Sequence, residues 1–356
     1  MPDPHPLVCR FGAFGDMVML IPMLNHLYAR SGLPCDVVAI GAWNRHLFQH
    51  MPCVRNVYTI DSRSRYYWID AGQKALVKTL TEMQHQHVWV CETNKKSYQL
   101  LKRAGITRDN SITQLDQPSV AEEHYCNKWI RLAKDSPADF AGKPVETTSI
   151  FPQLTVTPEE IEACKHWLVE SGVDSEAPII CIQAGSKRTT RQGKASRESN
   201  TKYWEAENWA SVIDNIISHF PQAQVMLCGV PNEAEMCAEI KAMCQFKASV
   251  HSVANDLPMR RLFALLSLSH SCISVDTGPA HAAAALDCPL VVLFGQANPN
   301  RFRPISDSSP VSILIGKSVD DEDATADIGL ITPEQVTESW LRLPYARTDD
   351  NFHSEA

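Results

Sequence analysis

Short apolar runs alternate with amphipathic segments along most of the chain, and this alternation is what most limits the possible folds. The first half contains "LVCRF", "DVVAIGA", "NVYTI" and "HVWVCE", and the second contains "PIICIQAG", "QVMLCGV", "CISVDTG" and "LVVLFG". Strands that are apolar along their whole length indicate a parallel sheet covered by helices on both faces. The sequence therefore predicts doubly wound α/β sheets, which bind ligands beyond the carboxyl ends of their strands.

A proline-rich stretch interrupts this alternation near the middle of the chain. The 356 residues are too many for one ordinary core, and four prolines fall within residues 137–158. A helix is predicted directly afterwards, with Thr157 as its N-cap, Glu160 completing a capping box and Gly172 as its stop. We predict one domain over residues 1–150, a second over 151–330, and a closing C-terminal helix and tail over 331–356.

Composition narrows the class of protein. The longest apolar run is shorter than the roughly 18 to 20 residues of a membrane span, and the N-terminus "MPDPHPLVCR" lacks the features of a secretory signal. The 12 cysteines are scattered, without a Cys-x-x-Cys pair. This pattern predicts a cytoplasmic chain whose cysteines are reduced core residues.

The charge is unevenly distributed. Residues 1–150 hold 17 Lys and Arg against 14 Asp and Glu, whereas residues 151–356 hold 16 against 27. The basic excess is concentrated between Arg63 and Arg103, so an anionic partner would meet the first half. A solvated helix surface explains the same charges, and we predict no nucleic-acid partner.

The first of three unusual loops is "FGAFGD". Gly12 and Gly15 allow a sharp turn after the first strand and place Asp16 near a helix start, which favours the ionised carboxylate. The spacing does not fit the dinucleotide fingerprint. Asp16 is either a helix cap or a functional acid, and Pro22 indicates that a helix either begins near Ile21 or is kinked there.

The other two loops lie in the second half. Ser186 follows a strand and opens a loop rich in Lys and Arg, which is typical either of a diphosphate seat or of a mobile surface loop. In "SVDTGPAHAAAALDC", Thr277 and Gly278 precede Pro279 at a helix start with His281 one turn in, an arrangement suited to an anion. Asp276 would repel phosphate, so we expect it to orient the loop or accept a hydroxyl.

Two clusters raise the possibility of a metal. Asp321, Glu322 and Asp323 have an Asp-x-Asp spacing in a late acidic loop, and His85, His87 and Cys91 surround a strand start. Solvated acids and a mixed strand start explain them as well. We predict neither a metal nor a cofactor.

Four stretches together resemble glycosyltransferase family 9, the heptosyltransferases of lipopolysaccharide assembly: "GDMVMLIPMLNHL", "TKYWEAENWASVI", "CGVPNEAE" and "DTGPAHAAAALDCPLVVLFGQANPNRFRP". The resemblance implies an α/β GT-B fold of two Rossmann-like domains facing a central cleft, with the acceptor on the first and the nucleotide sugar on the second. It also implies ADP-heptose as donor, a lipopolysaccharide core acceptor, inversion without a metal, and peripheral contact with the inner membrane surface.

The resemblance assigns roles by position. Asp16 matches the general base, Lys202 the lysine that faces the diphosphate, and Glu233 the acid on the adenosine ribose. The donor loop corresponds to Asp276, Thr277, Gly278 and His281, with Ser186 and Lys187 aligned after the preceding strand. Beside the resemblance, we assign acceptor contacts to Gly15 next to Asp16 and, from the basic stretch between Arg63 and Arg103, to Arg63 and Arg65. The stretch from Lys187 to Lys202 is longer than the usual loop of the family.

Two rival functions are compatible with the same motifs. One is a GT-B enzyme that uses another nucleotide sugar, or a protein or other non-lipid acceptor. The other is a non-catalytic protein that binds a nucleotide sugar, which would keep the third loop but would not need Asp16.

Overall fold

The computed structural model describes residues 3–135, 140, 149–174, 176–186, 200–317 and 325–343. The chain divides into two compact units, Met1–Thr155 and Val156–Ala356. Within the described ranges no helix is both long and apolar enough to cross a bilayer.

The first unit is built on a five-stranded parallel sheet with the order β3-β2-β1-β4-β5. Its strands are β1 (Leu7–Cys9), β2 (Cys35–Ile40), β3 (Val54–Ile60), β4 (Val88–Val90) and β5 (Ile112–Thr113). Its helices are α1 (Phe14–Val18), α2 (Ile21–Ser31), α3 (Asn44–Leu47), α4 (Ala71–Met83), α5 (Lys95–Arg103) and α6 (Tyr125–Lys134). The strand order reverses direction between β1 and β4, so the loops after these two strands form the ligand-binding position of a Rossmann-like sheet.

The second unit repeats this design with six parallel strands in the order β11-β10-β9-β6-β7-β8. The strands are β6 (Ile179–Gln183), β7 (Gln224–Leu227), β8 (Val250–Ser252), β9 (Ser271–Val275), β10 (Leu290–Phe294) and β11 (Val311–Ile315). The helices are α7 (Pro158–Glu170), α8 (Ala206–His219), α9 (Ala234–Met243), α10 (Met259–Leu268), α11 (Gly278–Ala285), α12 (Pro299–Phe302) and α13 (Pro333–Leu341). The reversal here falls between β6 and β9, which again marks the loops after these strands.

The local chemistry of the helix starts explains several boundaries. Thr157 accepts from the Glu160 amide at 3.3 Å and Glu160 returns a bond to the Thr157 amide at 3.0 Å, so the predicted capping box is confirmed. α2 begins at Ile21 with Pro22 in its first turn. The missing proline N–H is harmless in a first turn, and the alternative of a kinked helix is therefore wrong.

The closing helix α13 packs within the second unit. Its Trp340 donates from Nε1 to Ser271 Oγ at 2.8 Å. Just before it, Ile331 accepts from Trp204 Nε1 at 3.0 Å. Trp204 in turn stacks edge-on against Trp209 of α8, with 4.9 Å between ring centroids. These buried indole contacts fix the helix to the sheet.

All twelve cysteines are free and buried, as the sequence predicts. Burial raises the pKa of the Cys53 and Cys91 thiols to about 12. These thiols therefore act as small apolar core residues.

A buried ion-pair cluster holds the amino-terminal end of the first sheet. Asp36 of β2 is fully buried and accepts from Arg55 at 3.0 Å and 2.6 Å and from Asn56 at 3.1 Å. Arg55 also pairs with Asp3 at 2.6 Å. The hydrogen bond from Arg55 to Asp36 raises the pKa of the Arg55 guanidinium above its ordinary value.

Replacing Asp36 should destabilise the first unit. We expect Asp36→Ala to lower the free energy of unfolding by about 3 kcal/mol, because it leaves the Arg55 charge and the Asn56 amide without their shared acceptor. The matched control is Glu82→Ala, which removes the exposed pair of Glu82 with Lys78 and should cost less than about 1 kcal/mol. Urea unfolding of both variants measures this, and equal losses would contradict the interpretation.

Candidate functional site

Asp16 lies at the carboxyl end of β1 in the third position of α1. Its Oδ2 accepts from the Ala13 amide at 2.8 Å, and its Oδ1 pairs with the Arg10 guanidinium at 3.1 Å. The N-cap residue of this helix is Ala13, and the Asp16 carboxylate caps the Ala13 amide from the third helical position, so the predicted capping role is present in this form. The carboxylate is partly exposed and fixed on both oxygens, which gives it a defined direction.

A glycine makes this geometry possible. A Cβ at Gly12 would lie only 2.6 Å from Asp16 Cβ, so any larger residue would push the acid out of place. Gly15 lies next to Asp16 within α1. Gly12 therefore leaves the space that the Asp16 side chain occupies.

Glu92 links this loop to the end of the neighbouring strand β4. It is buried and accepts from the Phe11 amide at 2.7 Å, while Arg10 donates to Cys91 O at 2.9 Å. Arg10 also approaches Glu92 at 3.5 Å. Neither Arg10 nor Glu92 was among the residues predicted from the sequence. Glu92 and the Cys91 oxygen fix the position of Arg10, and Arg10 is the ion-pair partner of Asp16.

The two predicted acceptor-binding arginines lie in the loop after β3. Arg63 pairs with Glu92 Oε2 at 3.4 Å and donates to Phe11 O at 3.4 Å, which brings it to the same sheet edge as Asp16. Arg65 is exposed, and its backbone oxygen accepts from Gln73 at 3.2 Å. The first unit thus places two acids, Asp16 and Glu92, and two arginines, Arg10 and Arg63, close to the ends of β1 and β4.

In the second unit, Lys202 and Asp276 form a close pair. Lys202 Nζ donates to Asp276 Oδ2 at 2.5 Å and to its backbone oxygen at 2.7 Å. Asp276 follows β9 and is buried. The pair is electrically neutral, so the expected repulsion between Asp276 and a phosphate is largely cancelled by the ammonium.

A close backbone approach holds the segment that carries Lys202. A Cβ at Gly295, just after β10, would lie 2.1 Å from the Thr201 backbone oxygen. Since both groups belong to the backbone, neither can turn aside, and only glycine fits. The ends of β9 and β10 therefore jointly position Lys202.

The N-terminus of α11 opens at the same sheet edge. Thr277 is its N-cap in an extended conformation, and the threonine hydroxyl makes no capping bond to the helix. Gly278 begins the helix, and His281 is buried one turn later. Amide N–H groups and the positive end of the helix dipole at this position favour an anion.

The other residues predicted to bind the nucleotide sugar follow β6 and β7. Ser186 is buried just after β6. Glu233 is buried after β7, and its Oε2 accepts from the Val230 amide at 3.0 Å. Burial raises the pKa of the Glu233 carboxyl, although the bonds from Val230 and Gln183 oppose this rise. Lys187 lies outside the described residues.

Of the residues weighed as possible metal ligands, His85 and His87 precede β4 and Cys91 follows it, and among the described residues these three do not form one cluster. His85 lies 3.4 Å from Asp36 in the ion-pair cluster, whereas His87 stacks on Phe140 with 4.9 Å between centroids. Asp3, Asp36 and His85 are close enough to share an ion, but Arg55 already pairs with both carboxylates. Asp321, Glu322 and Asp323 lie outside the described residues.

Two successive Rossmann-like units, with candidate ligand-binding groups at the carboxyl ends of their strands, are the architecture of the GT-B fold. The model of glycosyltransferase family 9 (heptosyltransferase) matches residues 102–325. The chain belongs to this family and is a glycosyltransferase, which confirms the resemblance drawn from the sequence.

Individual relatives agree with the family. Lipopolysaccharide heptosyltransferase 2 of Salmonella typhimurium is 26% identical over 319 residues, covering 85% of each chain. The structure of E. coli ADP-heptose lps heptosyltransferase II superposes with a TM-score of 0.72 at 22% identity, over 95% of this chain and 97% of that one. The E. coli heptosyltransferase WaaC with ADP gives 0.67 at 18% identity, over 94% and 98%. These likenesses confirm the GT-B fold.

Proposed function

We propose that this protein transfers heptose from ADP-heptose to the core of lipopolysaccharide, at the inner face of the inner membrane. Family membership and the names of its relatives support the sugar and the acceptor. One observation carries the proposed chemistry. The Asp16 carboxylate, held by the Ala13 amide, lies at the carboxyl ends of the strands of the first sheet. Lys202 and the N-terminus of α11 lie at the carboxyl ends of the strands of the second sheet.

We assign the acceptor to the first unit. Asp16 takes the proton of the attacking hydroxyl, and Gly15, its neighbour in α1, is assigned as an acceptor contact. Arg63 and Arg65 meet phosphates or acidic sugars of the acceptor, as bidentate guanidinium groups do.

We assign the nucleotide sugar to the second unit. Glu233 accepts from the adenosine ribose hydroxyls, and the diphosphate lies against Lys202 and the start of α11. The donor-binding residues of this proposal are Ser186, Lys187, Lys202, Glu233, Asp276, Thr277, Gly278 and His281.

The proposed reaction is a single displacement with inversion. The acceptor hydroxyl oxygen forms a bond to the anomeric carbon while its proton passes to Asp16. The bond from that carbon to the diphosphate oxygen breaks, and its electron pair leaves with ADP. Attack opposite to the leaving group inverts the anomeric configuration.

In this proposal, fixed cationic and N–H groups stabilise the negative charge that develops on the leaving ADP. Two of the three N–H donors of Lys202 bond Asp276, and among the described residues the third has no protein partner, so we assign it to a phosphate oxygen. The amide groups at Thr277 and Gly278 add the positive end of α11. Such preorganised donors perform the task that a divalent cation performs in metal-dependent transferases.

A panel of donors tests the function. The purified protein is incubated with several nucleotide sugars and a truncated lipopolysaccharide core, with and without EDTA, and nucleotide release and product mass are followed. We expect ADP release and a heptose-extended product with ADP-heptose, undiminished by the chelator. Transfer from a UDP-sugar, or from ADP-heptose to a protein only, would favour the rival GT-B enzyme.

Gly185 offers a test of the ribose contact. A Cβ at this position would lie 2.4 Å from Glu233 Oε1 and 2.8 Å from Met236 Cε, and the ends of both side chains can move aside, so Gly185→Ala should fold with a loss of about 1 to 3 kcal/mol. We expect ADP to bind about tenfold more weakly because Glu233 is displaced. Calorimetric titration of ADP measures this change.

The matched comparison is Glu233→Gln, alone and combined with Gly185→Ala. Since both changes act on the same carboxylate, their effects on ADP affinity should not add. If the losses of ADP affinity add in the double variant, Gly185→Ala weakens ADP binding by a route other than Glu233.

A further inference from the structure

The loop between β3 and α4 exposes three large apolar side chains in a row of four residues. Tyr66, Trp68 and Ile69 are 73%, 66% and 76% exposed. We call Tyr66–Ile69 the aromatic segment. Exposed apolar groups this close together are uncommon on a protein surface and mark an interaction site.

The aromatic segment is held firmly by the unit beneath it. Tyr67 packs against the hydrophobic core. Ile69 and Asp70 both donate from their amides to Tyr66 O at 3.2 Å. Asp70 caps α4, and the buried Gln73 bonds Ser62 O at 2.7 Å on the other side of the segment. The exposed side chains are therefore presented by an ordered turn.

Cations surround the aromatic segment. The Arg103 guanidinium lies over the Tyr67 ring at 4.4 Å and over Trp68 at 5.3 Å. Arg65 and Lys74 are exposed nearby along the chain, whereas Asp70 is buried as a helix cap. Asp61 is the exposed acid at the start of this loop. The local balance is thus positive beside the apolar side chains.

We propose that the aromatic segment docks the protein on an anionic phospholipid bilayer, with Tyr66, Trp68 and Ile69 in the headgroup layer. Tyrosine and tryptophan prefer this layer, and neighbouring cations are attracted by its negative charge. The choice of a bilayer over a protein partner rests on the proposed function, whose acceptor is carried by a lipid. The three side chains also offer at most about 500 Å², less than each side of a stable protein interface buries.

This placement has a consequence for the reaction. Arg63, which begins the same loop, contacts Phe11 and Glu92 at the sheet edge that carries Asp16. A bilayer held by the aromatic segment would therefore bring headgroup-level sugars to the side of the unit that holds the proposed base.

Vesicle sedimentation tests the docking surface. The whole protein is mixed with vesicles that contain phosphatidylglycerol or with vesicles of phosphatidylcholine alone. We expect binding to the anionic vesicles and a loss of about tenfold or more in the combined variant Tyr66→Ser/Trp68→Ser/Ile69→Ser. The control Val169→Ser removes a comparably exposed apolar side chain from α7 and should bind as the wild type does. Equal binding by wild type and combined variant would overturn the proposal.

A second variant guards against a folding defect. Trp68→Phe keeps the apolar contact, so binding should persist, but quenching of protein fluorescence by brominated lipid should fall. Unchanged quenching in this variant would place Trp68 outside the bilayer and overturn the proposal. So would a dimer that the combined variant abolishes while its vesicle binding is unchanged.

Activity measurements separate this proposal from the proposed function. The combined variant should lose transfer to an acceptor embedded in vesicles and keep transfer to the same core freed of its acyl chains. A wild type that binds vesicles but transfers heptose to neither acceptor would refute the function and leave the docking surface standing. A wild type that transfers heptose to the soluble core but ignores anionic vesicles would refute the docking surface alone.

Discussion

Asp16→Asn should reduce kcat by a factor of about 10² to 10⁴, the usual contribution of a general base, while ADP binding stays unchanged. The amide keeps the size of the carboxylate, and its oxygen can still accept from the Ala13 amide. It cannot take a proton from the acceptor hydroxyl. Single-turnover transfer from ADP-heptose to a truncated core, with titration of ADP alongside, measures both quantities.

The matched control for this change is Asp61→Asn, which neutralises an exposed carboxylate after β3 in the same unit. It should leave kcat at the wild-type value. Near wild-type activity in Asp16→Asn, or an equal loss in Asp61→Asn, would contradict the assignment of Asp16 as base. If the wild type turns over and Asp16→Asn binds ADP without turnover, Asp16 has a catalytic role. That result would exclude the rival non-catalytic protein, which does not need Asp16.

Lys202→Met should lower kcat/KM for ADP-heptose by a factor of about 10² to 10³, because the leaving diphosphate loses a preorganised cation. The change also leaves the buried Asp276 without its counter-ion. We therefore expect a second effect, a lower free energy of unfolding, that is distinct from the loss of catalysis.

The double variant Lys202→Met/Asp276→Asn separates the two effects. It removes the uncompensated buried charge, so stability should return toward the wild-type value while kcat/KM stays low. Lys247→Met, at an exposed lysine in the same unit, is the control for loss of a positive charge. If the double variant regains both stability and activity, Lys202 has a structural role only.

The central strands could be predicted from the sequence because each is a continuous apolar run flanked by turn residues. The edge strands β5, β8 and β11 were missed. β5 has two residues and β8 has three, and β11 is only partly buried, so none has the uniformly apolar pattern of an interior strand. β3 is also an edge strand, but it has seven residues and its run "NVYTI" was predicted, so being at an edge does not by itself hide a strand.

Candidate residues were found where they directly follow a predicted strand, as Asp16, Ser186, Glu233 and Asp276 do. The pairings between side chains were not, even where both residues were candidates, as Lys202 and Asp276 were. Phe11 meets Glu92 across 81 positions of the chain, and Lys202 meets Asp276 across 74. A single sequence shows which loops share a sheet edge, but the pairing of side chains across that edge depends on tertiary structure.

The buried thiols can report local unfolding of each unit. A thiol reacts only when it reaches water and ionises, and burial prevents both in the folded chain. The first unit carries Cys9, Cys35, Cys53, Cys91 and Cys126, and the second carries Cys164, Cys181, Cys228, Cys237, Cys244, Cys272 and Cys288. Alkylation read by peptide mass would therefore time the transient exposure of each unit separately, without an introduced label. A ligand that slows labelling in only one set of cysteines would show which unit it holds closed.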